Sequence, residues 1–188
     1  MKISSATACL AAIGLAVMLG GCQGKDPFYA VSPDQVSKVL DQTGLPMMVF
    51  GARAENARHW RVNAATTMWA LESDGHVELL RLSATTIVEG KGTRIHYDVL
   101  PPESSLRDQV AQGLKENGAY RDLYRSALAE QIDAKLTNRA FAIQNIAMDA
   151  ARVTLGALPH IRQSMDNAEK EYQRRQQEVI DRVYANEK

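Results

Sequence analysis

Residues 66–100, with the sequence TTMWALESDGHVELLRLSATTIVEGKGTRIHYDVL, decide the fold of this chain. In the last part of this stretch Ile95, Tyr97 and Val99 alternate with polar residues. An apolar residue at every second position is typical of a β-strand that buries one face and exposes the other. The same alternation places Thr67, Trp69 and Leu71 together on one side of the first part.

Two glycine-containing turns divide this stretch into three strands. Ser73–His76 has Asp-Gly at its centre, which predicts a hairpin turn with positive φ values at that dipeptide. Gly90–Gly92 predicts a second turn; its Gly-Lys-Gly-Thr sequence superficially resembles a phosphate-binding loop, but it leads into a strand rather than a helix. Within residues 77–89 the apolar phase shifts between Leu79 and Leu80, which predicts a β-bulge.

The segment before the meander predicts a short strand and a capped helix. Residues 28–31 suit a strand, and Ser32 then suits the N-cap of a helix with Pro33 in its first position and Gln35 completing a capping box. Gly44 is expected to end this helix. Residues 45–50 suit a strand or loop edge, residues 51–58 a polar connector, and β-structure is expected from His59 to Leu100.

The segment after Pro101-Pro102 is predicted to be helical. Apolar residues recur at helical spacing from Leu106 to Leu114 and again from Tyr120 to Leu136. Residues 141–153 are apolar over most of the helix circumference, so this segment is expected to be the best-buried helix. A long, charged C-terminal helix is predicted over residues 159–188; its apolar seam could dock on its own domain or on a partner, and the seam consists of Leu158, Met165, Tyr172 and Val179.

These elements predict an α+β fold, with an antiparallel β-meander packed on helices. The order of a strand, a capped helix, a meander and an apolar helix resembles the helix-grip (START-like) architecture. The local patterns of residues 29–40 and 82–100, including the Gly-Thr-Arg turn, carry this resemblance. It implies a curved sheet wrapped around a helix with a hydrophobic cavity between them. The chain departs from that group in having few strands and extra helices after Leu100, and no functional residue can be carried over.

The N-terminus predicts a signal peptide over residues 1–21. Lys2 is followed by an uncharged run from Ala6 to Gly21, which is shorter than the roughly 20 apolar residues that span a bilayer. The run ends in Leu19-Gly20-Gly21-Cys22, which resembles the lipobox of bacterial lipoproteins. That resemblance implies cleavage between Gly21 and Cys22, a diacylglycerol on the Cys22 thiol and an acylated new amine, so that the palmitate-type chains hold the protein on a membrane.

The lipobox and the predicted elements together divide the chain into four expected parts. Residues 1–21 are the signal, 22–27 the lipidated Cys and a short tether, 28–158 the α+β domain and 159–188 the C-terminal helix. Gln23 follows the Cys where enteric inner-membrane lipoproteins tend to have Asp, so the resemblance favours the periplasmic face of the outer membrane. Since Cys9 leaves with the signal, the mature chain is expected to have no free thiol.

The charge balance and the motif search exclude several classes of function. Loss of Lys2 leaves 21 basic against 22 acidic residues, which does not favour nucleic acid as a partner. His96, Asp98 and Ser83 could be imagined as a catalytic group, but the first two lie on the polar, solvated face of their strand. The four His have no zinc-motif spacing and no acidic cluster resembles a calcium loop, so no metal, cofactor or enzymatic activity is expected.

Two functions from different classes remain open at this point. The first is a structural or protein-interaction role in the cell envelope, with a partner met through the helices. The second is the binding of a hydrophobic or lipid-like ligand in a cavity between sheet and helix. The aromatic side chains that could line such a cavity, or simply form a core, are Phe28, Phe50, Trp60, Trp69, Tyr97 and Phe141.

Overall fold

The computed structural model describes residues 26–157 and, beyond them, residues 163, 169–171 and 174–175. The predicted signal peptide, the lipobox and most of the predicted C-terminal helix lie outside the described residues. The strands are β1 (Phe28–Tyr29), β2 (Asn56–Arg61), β3 (Thr66–Glu72), β4 (Glu78–Glu89) and β5 (Gly92–Leu100). The α-helices are α1 (Pro33–Asp41), α2 (Arg107–Glu116) and α3 (Gly118–Leu136), and residues 147–157 are also α-helical.

The five strands form one antiparallel sheet in the order β1-β5-β4-β3-β2. Its register places Trp69 opposite Leu82, and Leu82 opposite Val99, on one face. These three side chains are at most 5% exposed, as the alternating pattern predicts. The predicted α+β meander with one dry face is therefore confirmed.

The β-bulge predicted in β4 is confirmed at Leu79. Leu71 pairs with Leu80 but Glu72 pairs with Glu78, so Leu79 is an extra residue without a partner in β3. The hairpin before it is also present, but the positive φ lies at His76 (54°) and not at Asp74-Gly75. The reason is that the loop has three residues closed by Ser73 and Val77, and such loops place the left-handed conformation at their last position.

The capped helix α1 begins as its sequence predicts. The Ser32 hydroxyl accepts a hydrogen bond from the Gln35 amide, and the Gln35 side chain accepts one from the Ser32 amide. The helix ends at Asp41, a few residues before Gly44. The Thr43 hydroxyl donates to the carbonyl of Val39 (2.7 Å) and so satisfies one of the terminal carbonyls.

Two connecting segments are settled by the structure. Residues 45–50, expected as a strand or a loop edge, are a connection with a 3-10 turn at Met47–Val49, in which the Val49 amide donates to the Pro46 carbonyl (2.9 Å). Strand β2 begins at Asn56, inside the segment predicted to be a polar connector. The strand is mostly exposed, which explains why its sequence lacks an apolar alternation.

Helices α1 and α3 pack on the dry face of the sheet and close the hydrophobic core. Val36 and Leu40 of α1 and Leu128 and Ile132 of α3 are at most 1% exposed. The Trp69 indole N–H donates to the carbonyl of Thr43 (2.8 Å), which ties the centre of the sheet to the segment after α1. Together with the buried strand residues, these side chains form one continuous cluster.

The prediction that residues 141–153 form the best-buried helix is wrong. Ile143–Ile146 is a 3-10 turn, and Ile143, Met148 and Leu155 are 58%, 71% and 64% exposed. Alanines make this segment apolar all round without giving it the volume to fill the core. The larger apolar side chains of α3 pack against the dry face of the sheet instead.

This assignment of the central helix leads to a prediction about stability. Leu128→Ala should lower the free energy of unfolding by about 2–5 kcal/mol, because the cavity it leaves is enclosed by the sheet. Leu155→Ala, the same substitution at an exposed helical site, should change it by less than about 0.5 kcal/mol. Urea denaturation monitored by circular dichroism measures both values. Equal losses in the two variants would contradict the central position of α3.

Candidate functional site

An open, apolar cleft of about 270 Å³ lies at the end of the sheet that carries the β3–β4 hairpin. The bulged part of β4 forms one wall, and α2 and the first half of α3 form the opposite wall. The lining residues are Phe50, Ala54, Leu71, Leu79, Leu80, Val110, Gly113, Leu114, Asn117, Tyr120 and Tyr124. None of these is charged, so the cleft suits an apolar group rather than an ion.

The β-bulge supplies one wall of the cleft. In a regular strand, neighbouring side chains point to opposite faces of the sheet. Leu79 and Leu80 are neighbours, yet both line the cleft, because the extra residue at Leu79 breaks the alternation. The irregularity that the sequence predicts is therefore the feature that widens the apolar surface here.

An aromatic group forms the wall across from the bulge. The ring of Tyr124 lies 5.2 Å from that of Phe50 and 6.1 Å from that of Tyr120, measured between ring centres. Burial raises the pKa of Tyr124 above its ordinary value, so its hydroxyl stays neutral at physiological pH. Tyr120 is 40% exposed at the mouth of the cleft.

The aromatic residues that the sequence suggests for a cavity are distributed over the molecule. Among them, Phe50 lines the cleft. Trp69 and Tyr97 are core residues, and Phe141 packs partly buried against that core. Trp60 lies on the other face of the sheet, where the guanidinium groups of two arginines lie over its ring; these are Arg58 at 4.8 Å and Arg81 at 5.6 Å. Phe28 is half exposed on β1.

The register places Ser83 opposite Asp98, with His96 two residues along β5 on the same face, but the contacts of these side chains are not those of a catalytic group. The His96 ring Nδ1 lies 2.8 Å from the carboxylate of Asp26. The Asp98 carboxylate accepts a hydrogen bond from the amide of Val99 (2.8 Å), and Ser83 is 7% exposed in the middle of β4.

The other histidines are also separated from one another. His59 contacts the carbonyl of Asp41 at 3.0 Å, and His76 lies in a hairpin loop. His160 lies outside the described residues. Within residues 26–157 and the few described positions beyond them, no cluster of His, Cys, Asp and Glu could hold a metal ion.

Asp26 ties the beginning of the described chain to the domain. Its carboxylate accepts hydrogen bonds from Arg125 of α3 (2.7 Å) and contacts His96 of β5, while its carbonyl accepts one from Arg94. The next residue, Pro27, accepts a hydrogen bond from the amide of Ile95 (3.1 Å). The chain is therefore fixed to sheet and helix only four residues after Cys22.

Glu130 is a second polar anchor, on the buried side of α3. Its carboxylate accepts from the Arg139 guanidinium, from the Ala142 amide (2.9 Å) and from the Asn145 side chain (2.9 Å). Burial alone raises the pKa of Glu130, but these hydrogen bonds outweigh it and hold the pKa below its ordinary value. Glu130 thus fastens the segment after α3 to the helix.

The sequence patterns miss both polar anchors. Asp26 belongs to the predicted tether and Glu130 to a helical stripe chosen for its apolar residues. Their partners lie 70 and 99 residues away for Asp26, and 9, 12 and 15 residues away for Glu130. A single acidic residue in a sequence gives no signal of such partners. By contrast, the bulge and the apolar stripe of α3 each give a local signal, although neither pattern predicts that the two line one cleft.

We find no match to this chain among models of protein families, curated proteins or solved structures. In the part of the chain that the structure describes, no helix combines the length and apolar character needed to cross a membrane. The function is therefore argued from this chain's own residues.

The Glu130 anchor predicts a dependence of stability on pH. Because its pKa is lower in the folded state, its stabilisation is complete above the unfolded value of about 4.3 and is lost as the pH falls through the folded value. Glu130→Gln should lower the free energy of unfolding at pH 7 by about 2 kcal/mol and reduce the loss of stability on acidification. Urea titrations at neutral and acidic pH measure this, with Glu116→Gln on the surface as the control. An unchanged acid dependence in Glu130→Gln would refute the assignment.

Proposed function

We propose that this chain is a lipid-anchored protein of the bacterial cell envelope whose domain binds an apolar segment of a partner protein. Acyl chains on Cys22 would hold it on a membrane, with the periplasmic face of the outer membrane favoured. The open cleft between the β4 bulge, α2 and α3 would be its binding surface. The observation that carries the interaction role is this uncharged cleft, which opens to solvent beside the packed core.

Two features support the anchoring part of the proposal. The sequence Leu19-Gly20-Gly21-Cys22 directly follows an uncharged run, as in bacterial lipoproteins. One acyl chain gives marginal membrane binding, whereas two or three give lasting attachment. The tie at Asp26 leaves three residues between the acylated Cys and the folded domain, so the domain would stay close to the bilayer.

The shape of the cleft favours a protein partner over a small hydrophobic ligand. Sites for small molecules usually enclose about 300–1,000 Å³ and bury most of the ligand. The cleft here holds about 270 Å³, opens to solvent and has Tyr120 half exposed at its mouth. One or two apolar side chains of a partner would fill it. Between the sheet and α3, where a helix-grip cavity is expected, the described side chains form a packed core.

A hydrophobic small ligand is the second candidate, because the lining is almost wholly apolar. A single short acyl chain or a flat ring system would match such a lining. Native mass spectrometry of the protein released gently from membranes separates the two candidates. A bound small molecule that Leu79→Glu removes would favour the ligand, and an empty cleft would favour the protein partner.

The interaction role predicts a site-specific crosslink in living cells. A photoreactive phenylalanine analogue at Tyr120, at the mouth of the cleft, should capture a protein neighbour. The same photoreactive analogue in place of Met148, which is 71% exposed and does not line the cleft, should capture that neighbour weakly or not at all. A Leu79→Glu substitution, at a partly buried residue of the cleft lining, combined with the Tyr120 probe should abolish the crosslink. Equal capture at both positions, or none at Tyr120, would contradict the proposed binding surface.

The lipid anchor predicts the behaviour of a Cys22→Ala variant. Wild-type protein should float with membranes and give an N-terminal peptide whose mass includes acyl chains. The variant should carry no lipid and leave the membrane fraction, because the domain has lost its two or three buried chains. Flotation in a density gradient and mass spectrometry measure the two properties. Wild-type protein that stays on membranes without any lipid mass would show that the anchor is wrong.

A further inference from the structure

Exposed apolar side chains gather at the end of the sheet opposite the cleft. Phe28 and Ile87 on one face of the sheet and Val88 on the other, here together called the tip patch, are 49%, 47% and 65% exposed. Val62, in the neighbouring β2–β3 turn, is 51% exposed at the same end. Solvent-exposed strand ends normally carry polar residues, so a concentration of large apolar side chains indicates a surface that something covers.

The tip patch projects beyond the rest of the sheet. Strand β3 begins opposite Thr85 of β4, whereas β4 continues to Glu89 in pairing with β5. The extra residues of the β4–β5 hairpin therefore extend about 10 Å past β3. Strand β1 pairs with this projecting part through Phe28 and Tyr29.

The ring of Phe28 is held in place rather than loosely attached. It lies over Gly92, where a Cβ atom would come within 2.4 Å of the ring and of the Tyr29 carbonyl. The guanidinium of Arg94 lies 5.9 Å from the ring centre and pairs with Glu89 (2.7 Å). Lys91 is exposed at the turn itself. An apolar patch beside an ion pair and an exposed lysine suits the interfacial layer between acyl chains and headgroups.

The distance along the chain from Cys22 to this patch indicates that a bilayer covers it. Cys22 precedes Asp26 by four residues, which span at most about 14 Å when extended. Phe28 follows Asp26 by two residues, a distance of about 7 Å along the strand. Acyl chains on Cys22 can thus enter a bilayer whose surface touches Phe28.

We propose that the tip patch of Phe28, Ile87 and Val88 rests in the interfacial layer of the bilayer that holds the lipid of Cys22. This inference rests on the proposed lipid anchor and adds an orientation to it. The β4–β5 hairpin contacts the bilayer, and β4 runs from the cleft toward the membrane. The cleft at Leu80, seven residues from Ile87, then lies about 23 Å further from the bilayer and faces the partner's side.

Two valines at opposite ends of β4 provide a matched test. Val88→Cys and Val77→Cys, which is 41% exposed beside the cleft-end hairpin, are each prepared as the lipidated full-length mature protein. Since the Cys22 thiol is acylated, a bimane dye labels the new thiol alone. The proteins are placed in vesicles of phosphatidylethanolamine and phosphatidylglycerol that contain lipids with a spin label near the headgroup. Quenching should be several-fold stronger at position 88 than at position 77.

The outcomes separate the two proposals. Acylated, vesicle-bound protein with equal quenching at both positions, with stronger quenching at 77, or with none at either overturns the membrane-facing tip and leaves the anchor intact. An N-terminal peptide without acyl chains overturns the anchor and, with it, the orientation that rests on it. Circular dichroism of both labelled variants checks that they fold like the unlabelled protein.

Discussion

The burial of one face of the meander is the constraint on which the rest of this structure depends. Trp69, Leu82 and Val99 form an apolar surface that an antiparallel sheet cannot leave in water. Helix α3 covers it, with Leu128 and Ile132 almost fully buried against the strands. In the described part of the chain, which contains no cysteine, this packing has no disulfide to assist it.

The closed core divides the functional surfaces between the two ends of β4. At one end the bulge at Leu79 widens the sheet edge, and α2 and α3 do not fill the space, so an open apolar cleft remains. At the other end the strand extends past its pairing with β3, and Ile87 and Val88 are exposed. In the proposed account the second end meets the membrane and the first meets a partner. One long strand therefore sets the distance between anchor and binding surface.

The sequence predicts local features of this fold well and long-range features poorly. The Ser32 capping box, the bulge at Leu79 and the alternation before Leu100 involve neighbouring residues, so their patterns can be read directly. The choice of the central helix could not be read in this way, because residues 141–153 and α3 both look apolar and side-chain volume decides between them. The contacts of Asp26 could not be predicted for a related reason, because its partners come from distant elements.

Hydrogen exchange of the mature protein, resolved by peptide or by residue, tests the central position of α3 most directly. Amides buried in the core exchange through global unfolding, whereas those of peripheral elements exchange through local opening. The account predicts that the amides of residues 123–136 exchange at the same slow rate as those of β4 and β5, and that residues 147–157 exchange earlier. If residues 123–136 exchanged together with residues 147–157 while the sheet stayed protected, α3 would not be what closes the core.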